Sequence, residues 1–273
     1  MVQLRLNSPC KREFERDVYR PGVISLTRLT WGSLGGGVAL AAIALLSTGS
    51  GVGVLYPPLA ATCFINAACV YLRVARPRPV IAGHLVSSVA GLLAMSAGGA
   101  LHGALPHWAA QAVALGLAVA LAALFMQLAD ADHPPAAATA AIPVLLPLPM
   151  PPLLLPLHMA WGAVVAVLAA MTWNGVWFAY PAPEGENCPK CLGLHQDRTE
   201  TGAFLACVLG AALMALRPLG NGLYEAGLGV LGLGGLAFVL HPVLTALSNA
   251  RAGARTNGQT SGQTSGQTSA EQR

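Results

Sequence analysis

Hydrophobic residues fall in eight runs separated by short polar or proline-rich breaks: Trp31–Thr48, Pro57–Leu72, Val80–Leu101, Trp108–Leu128, Pro134–Leu148, Pro156–Tyr180, Thr201–Leu216 and Leu223–Ser248. Crossing a bilayer takes roughly 20 apolar residues in a helix. Most of the runs approach that length, whereas the two that open with a Pro-Pro pair are short for a span. Between Leu29 and Pro183 the only charges are Arg73, Arg76, Arg78, Asp130 and Asp132. The pattern predicts an all-α polytopic membrane protein.

Composition agrees. Of the 273 residues, 55% are hydrophobic and 10% charged, with a mean hydropathy of +0.59. Soluble domains carry about a quarter charged residues, so a soluble domain is excluded. The net charge of +4 comes mostly from the chain ends, and aromatics are only 6%. That is a topology signal and not a nucleic-acid footprint. Glycine and proline are abundant (31 and 20) without a collagen period, and they lie inside the apolar runs. In a membrane this predicts broken helices whose freed backbone groups are satisfied by neighbours.

Residues 1–28 carry Arg5, Lys11, Arg12, Arg16, Arg20 and Arg28 against Glu13, Glu15 and Asp17. No signal-peptide pattern follows. The segment reads as a basic cytoplasmic anchor, with a short surface helix expected over Arg5 to Arg20. Residues 249–273 contain Gly-Gln-Thr-Ser three times and are expected to be disordered. Charge bookkeeping with full crossings puts Arg73, Arg76, Arg78, Arg251 and Arg255 on one side, with Arg217 as the exception. The expectation is an integral protein of a bacterial inner (plasma) membrane with both termini cytoplasmic.

An offset of 77 residues lays Pro57-Pro58-Leu-Ala60-Ala61-Thr62 on Pro134-Pro135-Ala-Ala137-Ala138-Thr139. It also lays Trp31 on Trp108, Ile65 on Ile142 and Pro79 on Pro156. This predicts a duplicated unit of three segments, over 29–105 and 106–182. An odd number of crossings turns the second unit upside down, the inverted-repeat architecture of many transporters. Two further spans, over 201–248, complete the membrane part.

Proline suits the first turn of a helix, because its missing N–H would be unpaired there. A helix starting at Pro-Pro also presents the positive end of its dipole, an anion site. Small residues at Ala60, Ala61, Ala137 and Ala138 permit close approach, and Thr62 and Thr139 place a hydroxyl about one turn in. The plainer reading is that Pro-Pro only kinks a span while the threonines bond their own backbone.

His133-Pro134-Pro135-Ala136-Ala137-Ala138-Thr139 closely resembles the signature of the HPP family of integral membrane proteins. Pro57-Pro58-Leu59-Ala60-Ala61-Thr62 resembles that family's Pro-Pro-aromatic-Gly-Ala-Ser block. Arg76-Pro77-Arg78-Pro79-Val80-Ile81-Ala82-Gly83-His84 is similar to its Gln-Pro-Arg-Asn-Val-Ile-Gly-Gly-His block. The likeness spans about Trp31 to Pro181, with order and spacing kept. Ala82 stands for a glycine, Pro79 for an asparagine and Leu59-Ala60 for the aromatic-glycine pair. The family is described as four-helix, which six segments over this region contradict unless the Pro-Pro segments are re-entrant; the sequence leaves both crossing and re-entry open. Plant chloroplast members are associated with nitrite, so the resemblance implies a small-anion transporter.

Ionisable residues inside a membrane are functional candidates by default. Asp132 and His133 precede the second Pro-Pro pair, where they can cap the helix, and His133 can donate to an anion or carry a proton. His84 and Arg78 form a second group, set against plainer roles as a backbone-bonded histidine and an interfacial arginine. In the loop over 183–200, Cys188-Pro-Lys-Cys191 with His195 supplies three metal ligands where a structural zinc site wants four, so it is a weak metal or redox candidate. Cys63, Cys69 and Cys207 read as buried thiols.

The expected function is passage of a small monovalent, nitrite-like anion by channel or proton-coupled transport. The site residues are Pro57, Pro58, Thr62, Arg78, His84, Asp132, His133, Pro134, Pro135 and Thr139. The alternative is a membrane sensor or interaction protein using the Cys188/Cys191 loop. No cofactor motif or nucleophile–base constellation points to an enzyme. The expected partners are the lipid bilayer and a small inorganic anion, with a homo-oligomer left open.

Overall fold

The computed structural model describes residues 3–5, 23–54, 56–70, 72–101, 103–176 and 198–267. Two three-residue strands, β1 (Gln3–Arg5) and β2 (Val23–Ser25), pair in parallel. Among the described residues the main elements are otherwise eight α-helices: α1 (Leu26–Ser50), α2 (Tyr56–Ala68), α3 (Pro77–Leu101), α4 (His107–Leu128), α5 (Pro134–Leu145), α6 (Leu155–Gly175), α7 (Arg198–Ala215) and α8 (Asn221–Gln267). Each of the eight apolar runs supplies one helix. Arg5 ends a strand where a helix was expected to begin, and the rest of that expected helix lies outside the described residues. Along its backbone α8 continues to Gln267, through repeats whose composition predicts disorder. Extending an existing helix costs less than starting one.

Among the described residues, six helices are long and apolar enough to cross a membrane. Four of them, α1, α3, α4 and α6, lie before residue 181, which accounts for four long helices in that region. The Pro-Pro helices differ. At 1.5 Å per residue, α2 and α5 are about 20 and 18 Å long, against a hydrocarbon core of about 30 Å.

They nonetheless join the two ends of the bundle. Tyr56 at the start of α2 bonds Ser47 near the end of α1 (3.2 Å), while the Asn66 carbonyl, near the end of α2, accepts from Asn174 at the end of α6 (2.9 Å). Asn174 also accepts from Trp31 Nε1 at the start of α1 (3.2 Å). Likewise α5 starts with His133 beside Val74 and ends with the Val144 carbonyl accepting from Gln111 at the start of α4. Each short helix is extended by non-helical chain carrying buried side chains: Val52, Val54 and Val70 around α2, Ala131 and Met150 around α5. Irregular backbone at membrane depth is tolerable when protein covers it.

Successive helices run in opposite directions. In the 18-residue windows that mark the spans, α3 and α6 are 61% and 67% buried, against 28% for α1, α4 and α8 and 33% for α7. The two central spans therefore pack on each other, with α1 against α2 and α6, α4 against α5 and α3, and α2 against α5 between them. Exposed Leu34, Leu45, Leu117, Leu124, Leu209 and Leu233 form the lipid-facing surface.

Small residues set the closest approaches. A Cβ on Gly91 of α3 would stand 2.3 Å from the Ala140 carbonyl oxygen of α5, and one on Gly210 of α7 would stand 2.5 Å from the Leu231 nitrogen of α8. Backbone contact of this kind supplies association where lipid is as apolar as leucine.

The bundle end that holds Arg73 and Arg78, called the arginine end below, is closed by ion pairs. Arg78 Nη1 lies 2.8 Å from Glu200 Oε1 and 3.4 Å from Asp130 Oδ2, and its Nη2 donates to the Ala129 carbonyl (2.8 Å). Arg73 pairs with Asp130. At the opposite end Arg217, the exception in the charge count, donates to the Gly51 carbonyl (2.7 Å) and lies 4.8 Å over the Tyr224 ring. A carbonyl and an aromatic face thus take its charge. The α7–α8 hairpin is tied to the rest at both ends.

Two outcomes follow from this packing. Gly91→Ala forces α3 from α5 and is expected to cost about 1–3 kcal/mol by the overpacking scale; Gly116→Ala, with open space at its Cβ, is neutral or slightly stabilising in thermal unfolding in detergent. With both side chains mostly buried (12% and 14% exposed), Glu200→Gln is expected to cost about 1–3 kcal/mol, and measurably less in an Arg78→Met background.

Candidate functional site

The C-terminus of α4 sets the start of α5. Asp130 takes a left-handed conformation (φ 50°), with its N–H bonded to the Gln127 carbonyl (3.1 Å) and that of Ala131 to the Met126 carbonyl (2.8 Å). This is a Schellman cap with aspartate in glycine's usual place. The chain turns inward, Ala131 and His133 are buried, and Asp132 between them is exposed. A Cβ on Gly83 would stand 3.1 Å from both the Ala131 oxygen and His133 Cβ, so a small residue there lets this segment lie against α3.

His133 meets α2 and α3 in the interior. Its Nδ1 is 2.7 Å from the Val74 carbonyl and its Nε2 is 2.8 Å from Thr62 Oγ1. Thr62 Oγ1 is also 2.8 Å from His84 Nε2, and His84 Nδ1 is 2.8 Å from Thr139 Oγ1. The two imidazoles lie 5.4 Å apart, centre to centre. His84, His133, Thr62 and Thr139 are all fully buried. The threonines stand at the same place in the two Pro-Pro helices, and one imidazole bridges them.

The neutral state permits one arrangement of protons that satisfies this geometry. A carbonyl only accepts, so His133 Nδ1 carries the hydrogen and its Nε2 accepts from the Thr62 hydroxyl. Thr62 therefore accepts from His84 Nε2–H, and His84 Nδ1 accepts from the Thr139 hydroxyl. Thr62 Oγ1 also lies 3.1 Å from the Pro58 carbonyl. Giving the hydroxyl hydrogen to that carbonyl would leave two lone pairs facing each other at 2.8 Å.

Thr139 is unusual within α5. Pro143, four residues on, has no N–H to give to the Thr139 carbonyl. One turn from Thr62, neither Oδ1 nor Nδ2 of buried Asn66 has a hydrogen-bond partner, and one turn from His84 the buried Ser87 hydroxyl has none. A polar atom left unpaired in this way costs about 1–3 kcal/mol.

The remaining candidates are spread out. Pro58 and Pro135 are buried, while Pro57 and Pro134 are exposed. The first turn of α5 is not a row of free donors: Pro134 and Pro135 have no N–H, and that of Ala136 goes to the His133 carbonyl (2.8 Å). Among the first three residues of α5 no backbone N–H is left for an anion, and the nearby buried polar atoms belong to side chains one turn along. Arg78 is held at the bundle end and not within the histidine–threonine cluster. Cys188, Cys191 and His195 lie outside the described residues, and among those described no group of three metal-ligating side chains occurs. Cys63 and Cys207 are buried and Cys69 is half-buried.

Sequence reasoning missed Asn66, Ser87 and the Val74 carbonyl. It also missed His158, whose Nδ1 donates to the Gly53 carbonyl (2.6 Å) and whose Nε2 lies 2.7 Å from the Tyr224 hydroxyl. A polar side chain inside an apolar run was the available signal for Asn66, Ser87 and His158. Nothing local marks the carbonyl.

No curated protein and no solved structure matches the chain. The family model for the HPP transmembrane region matches residues 21–181, more than half of its length and the part that contains α1 to α6. This integral membrane protein therefore belongs to the HPP transmembrane family.

Proposed function

We propose that this chain carries a small monovalent anion, nitrite-like in size and charge, through the interior framed by α2, α3, α5 and α6. The observation that carries the reading is the cluster in which His84 joins Thr62 to Thr139 and His133 closes on Thr62, wholly buried among membrane spans. Buried polar groups are costly in such surroundings and mark solute paths. The hydroxyl of Ser87 and the amide of Asn66, one turn to either side, add hydrogen-bond donors suited to anion oxygens.

The architecture supports the same reading. Exchanging the unit of α1–α3 with that of α4–α6 maps the neighbours of each helix onto those of its counterpart, and the alternating directions invert one unit relative to the other. An inverted repeat with broken helices near its centre suits alternating access around a fixed site. In this reading both termini face the cytoplasm, on the side of the arginine end. There Arg78, Asp130, Glu200 and His241 line a cavity of about 730 Å³, which this reading takes as the vestibule behind the ion pairs that close this end.

The test is nitrite uptake into proteoliposomes, with nitrate, formate and chloride as comparators. Thr62→Val and Thr139→Val each remove a hydroxyl from the cluster, and each is expected to lower uptake about tenfold or more, the equivalent of one lost hydrogen bond of roughly 1.4 kcal/mol. Folded variants with wild-type uptake, or a wild type that passes none of the four ions, contradict the reading.

A further inference from the structure

We propose that Thr139, His84, Thr62 and His133 form a directed proton relay, so that the coupling ion of the transport reading above, on which this rests, is a proton. The cluster is a continuous chain of hydrogen bonds with one polarity: Thr139 donates to His84, His84 to Thr62, Thr62 to His133, and His133 to the Val74 carbonyl. Every link is 2.7 or 2.8 Å. Its end is fixed by a group that cannot donate, and that fixes every link before it.

The proton balance is simple. Thr139 Oγ1 takes a proton and passes its own hydrogen to His84 Nδ1. The His84 Nε2–H bond then breaks as a new O–H bond forms on Thr62, and the former Thr62 hydrogen forms the Nε2–H bond of His133. One positive charge has moved from the α5 hydroxyl to the His133 ring, with no oxidant or reductant involved. His133 gives up its Nδ1 proton to water at the arginine end, where Asp132, next to His133, is exposed, once that nitrogen turns away from the Val74 carbonyl. The hydroxyls and both imidazole rings then turn back, which returns the remaining His133 hydrogen to the carbonyl, before the next proton. An imidazolium in the cluster and a bound anion stabilise each other, and such coupling is reciprocal.

The other ionisable groups on the surrounding elements are engaged elsewhere. Arg73 and Arg78 pair with Asp130 and Glu200, His241 Nδ1 lies 3.9 Å from Glu200, and His158 is bonded to Gly53 and Tyr224. The thiols Cys63 on α2 and Cys207 on α7 are buried in the apolar core. The internal repeat is broken at the relay. At the 77-residue offset His84 falls on Trp161 and His133 on Tyr56, so each unit supplies one imidazole, at positions the repeat does not match.

The experiment measures nitrite uptake and luminal pH together in liposomes loaded with a pH dye, after subtracting protein-free vesicles. Wild type is expected to move protons with nitrite at a fixed ratio. His84→Gln, which keeps one donor and one acceptor but cannot hold an extra proton, is expected to lower that ratio about tenfold or more at whatever nitrite flux remains. Nitrite flux without protons in the wild type, or an unchanged ratio in the variant, overturns the relay and leaves the transport reading standing. If the wild type moves no nitrite, the transport reading fails. Proton uptake driven by a potassium diffusion potential, without any anion, then decides the relay: uptake lost in His84→Gln supports it, and uptake absent or unchanged overturns it. Should the variant fail to fold, the ring nitrogens of labelled wild type in liposomes decide by ¹⁵N NMR. Hydrogen on His84 Nε2 and on His133 Nδ1 is the expected pattern, and the opposite tautomer on either ring overturns the proposal.

Discussion

An imidazole shut away from water must find one acceptor and one donor among its neighbours, and His84 finds them in two threonines from two separate short helices. The arrangement of the core depends on this requirement. It holds α2, α3 and α5 at one point, and the capped turn after α4 brings His133 to the same point. Net gains from individual hydrogen bonds are small, about 0.5–1.5 kcal/mol each, but an unmade one among these groups costs more than a made one returns. The cluster therefore acts as a specification. A slip of α2 or α5 by one residue would leave buried nitrogens and hydroxyls without partners.

Short helices make that meeting possible. A full-length span would carry its side chains past the centre in an unbroken ladder, whereas α2 and α5 let irregular chain enter the bundle beneath the covering long helices. Proline serves both ends of the device: Pro134 and Pro135 open α5, and Pro143 releases the Thr139 carbonyl from its ladder. The α7–α8 hairpin, beyond the matched family region, braces the core on both sides. It does so through Glu200 with Arg78 at one end and Arg217 with Gly51 at the other, with Trp161 donating to the Ala211 carbonyl (3.0 Å) between them.

Much of the fold was legible because membrane helices are written in long apolar runs. The segments read as Trp108–Leu128 and Val80–Leu101 differ from α4 and α3 by only one and three residues at their starts. The brevity of the Pro-Pro segments was also visible, and so were His84, His133, Thr62 and Thr139 as individuals. Their meeting was not, since His84 and Thr139 are 55 residues apart and Thr62 and His133 71 apart, and no local period encodes such contacts. The ion pairing of Arg78 was likewise hidden, because its partners, Glu200 and the Ala129 carbonyl, lie far along the chain. One local consequence was on view in the sequence: two consecutive prolines remove two of the N–H groups that the start of α5 would otherwise offer.

The central claim is that one imidazole couples the two threonines, and a double-mutant cycle on stability addresses it most directly. Thr62→Val, Thr139→Val and the double variant would be compared by equilibrium unfolding of the reconstituted protein. Because both hydroxyls bond the same ring, the account predicts a non-additive term of about 0.5–3 kcal/mol, the second substitution costing less once the first has broken the bridge. Costs that add to within about 0.3–0.5 kcal/mol would mean that the two helices are independent of each other at His84, and would contradict it.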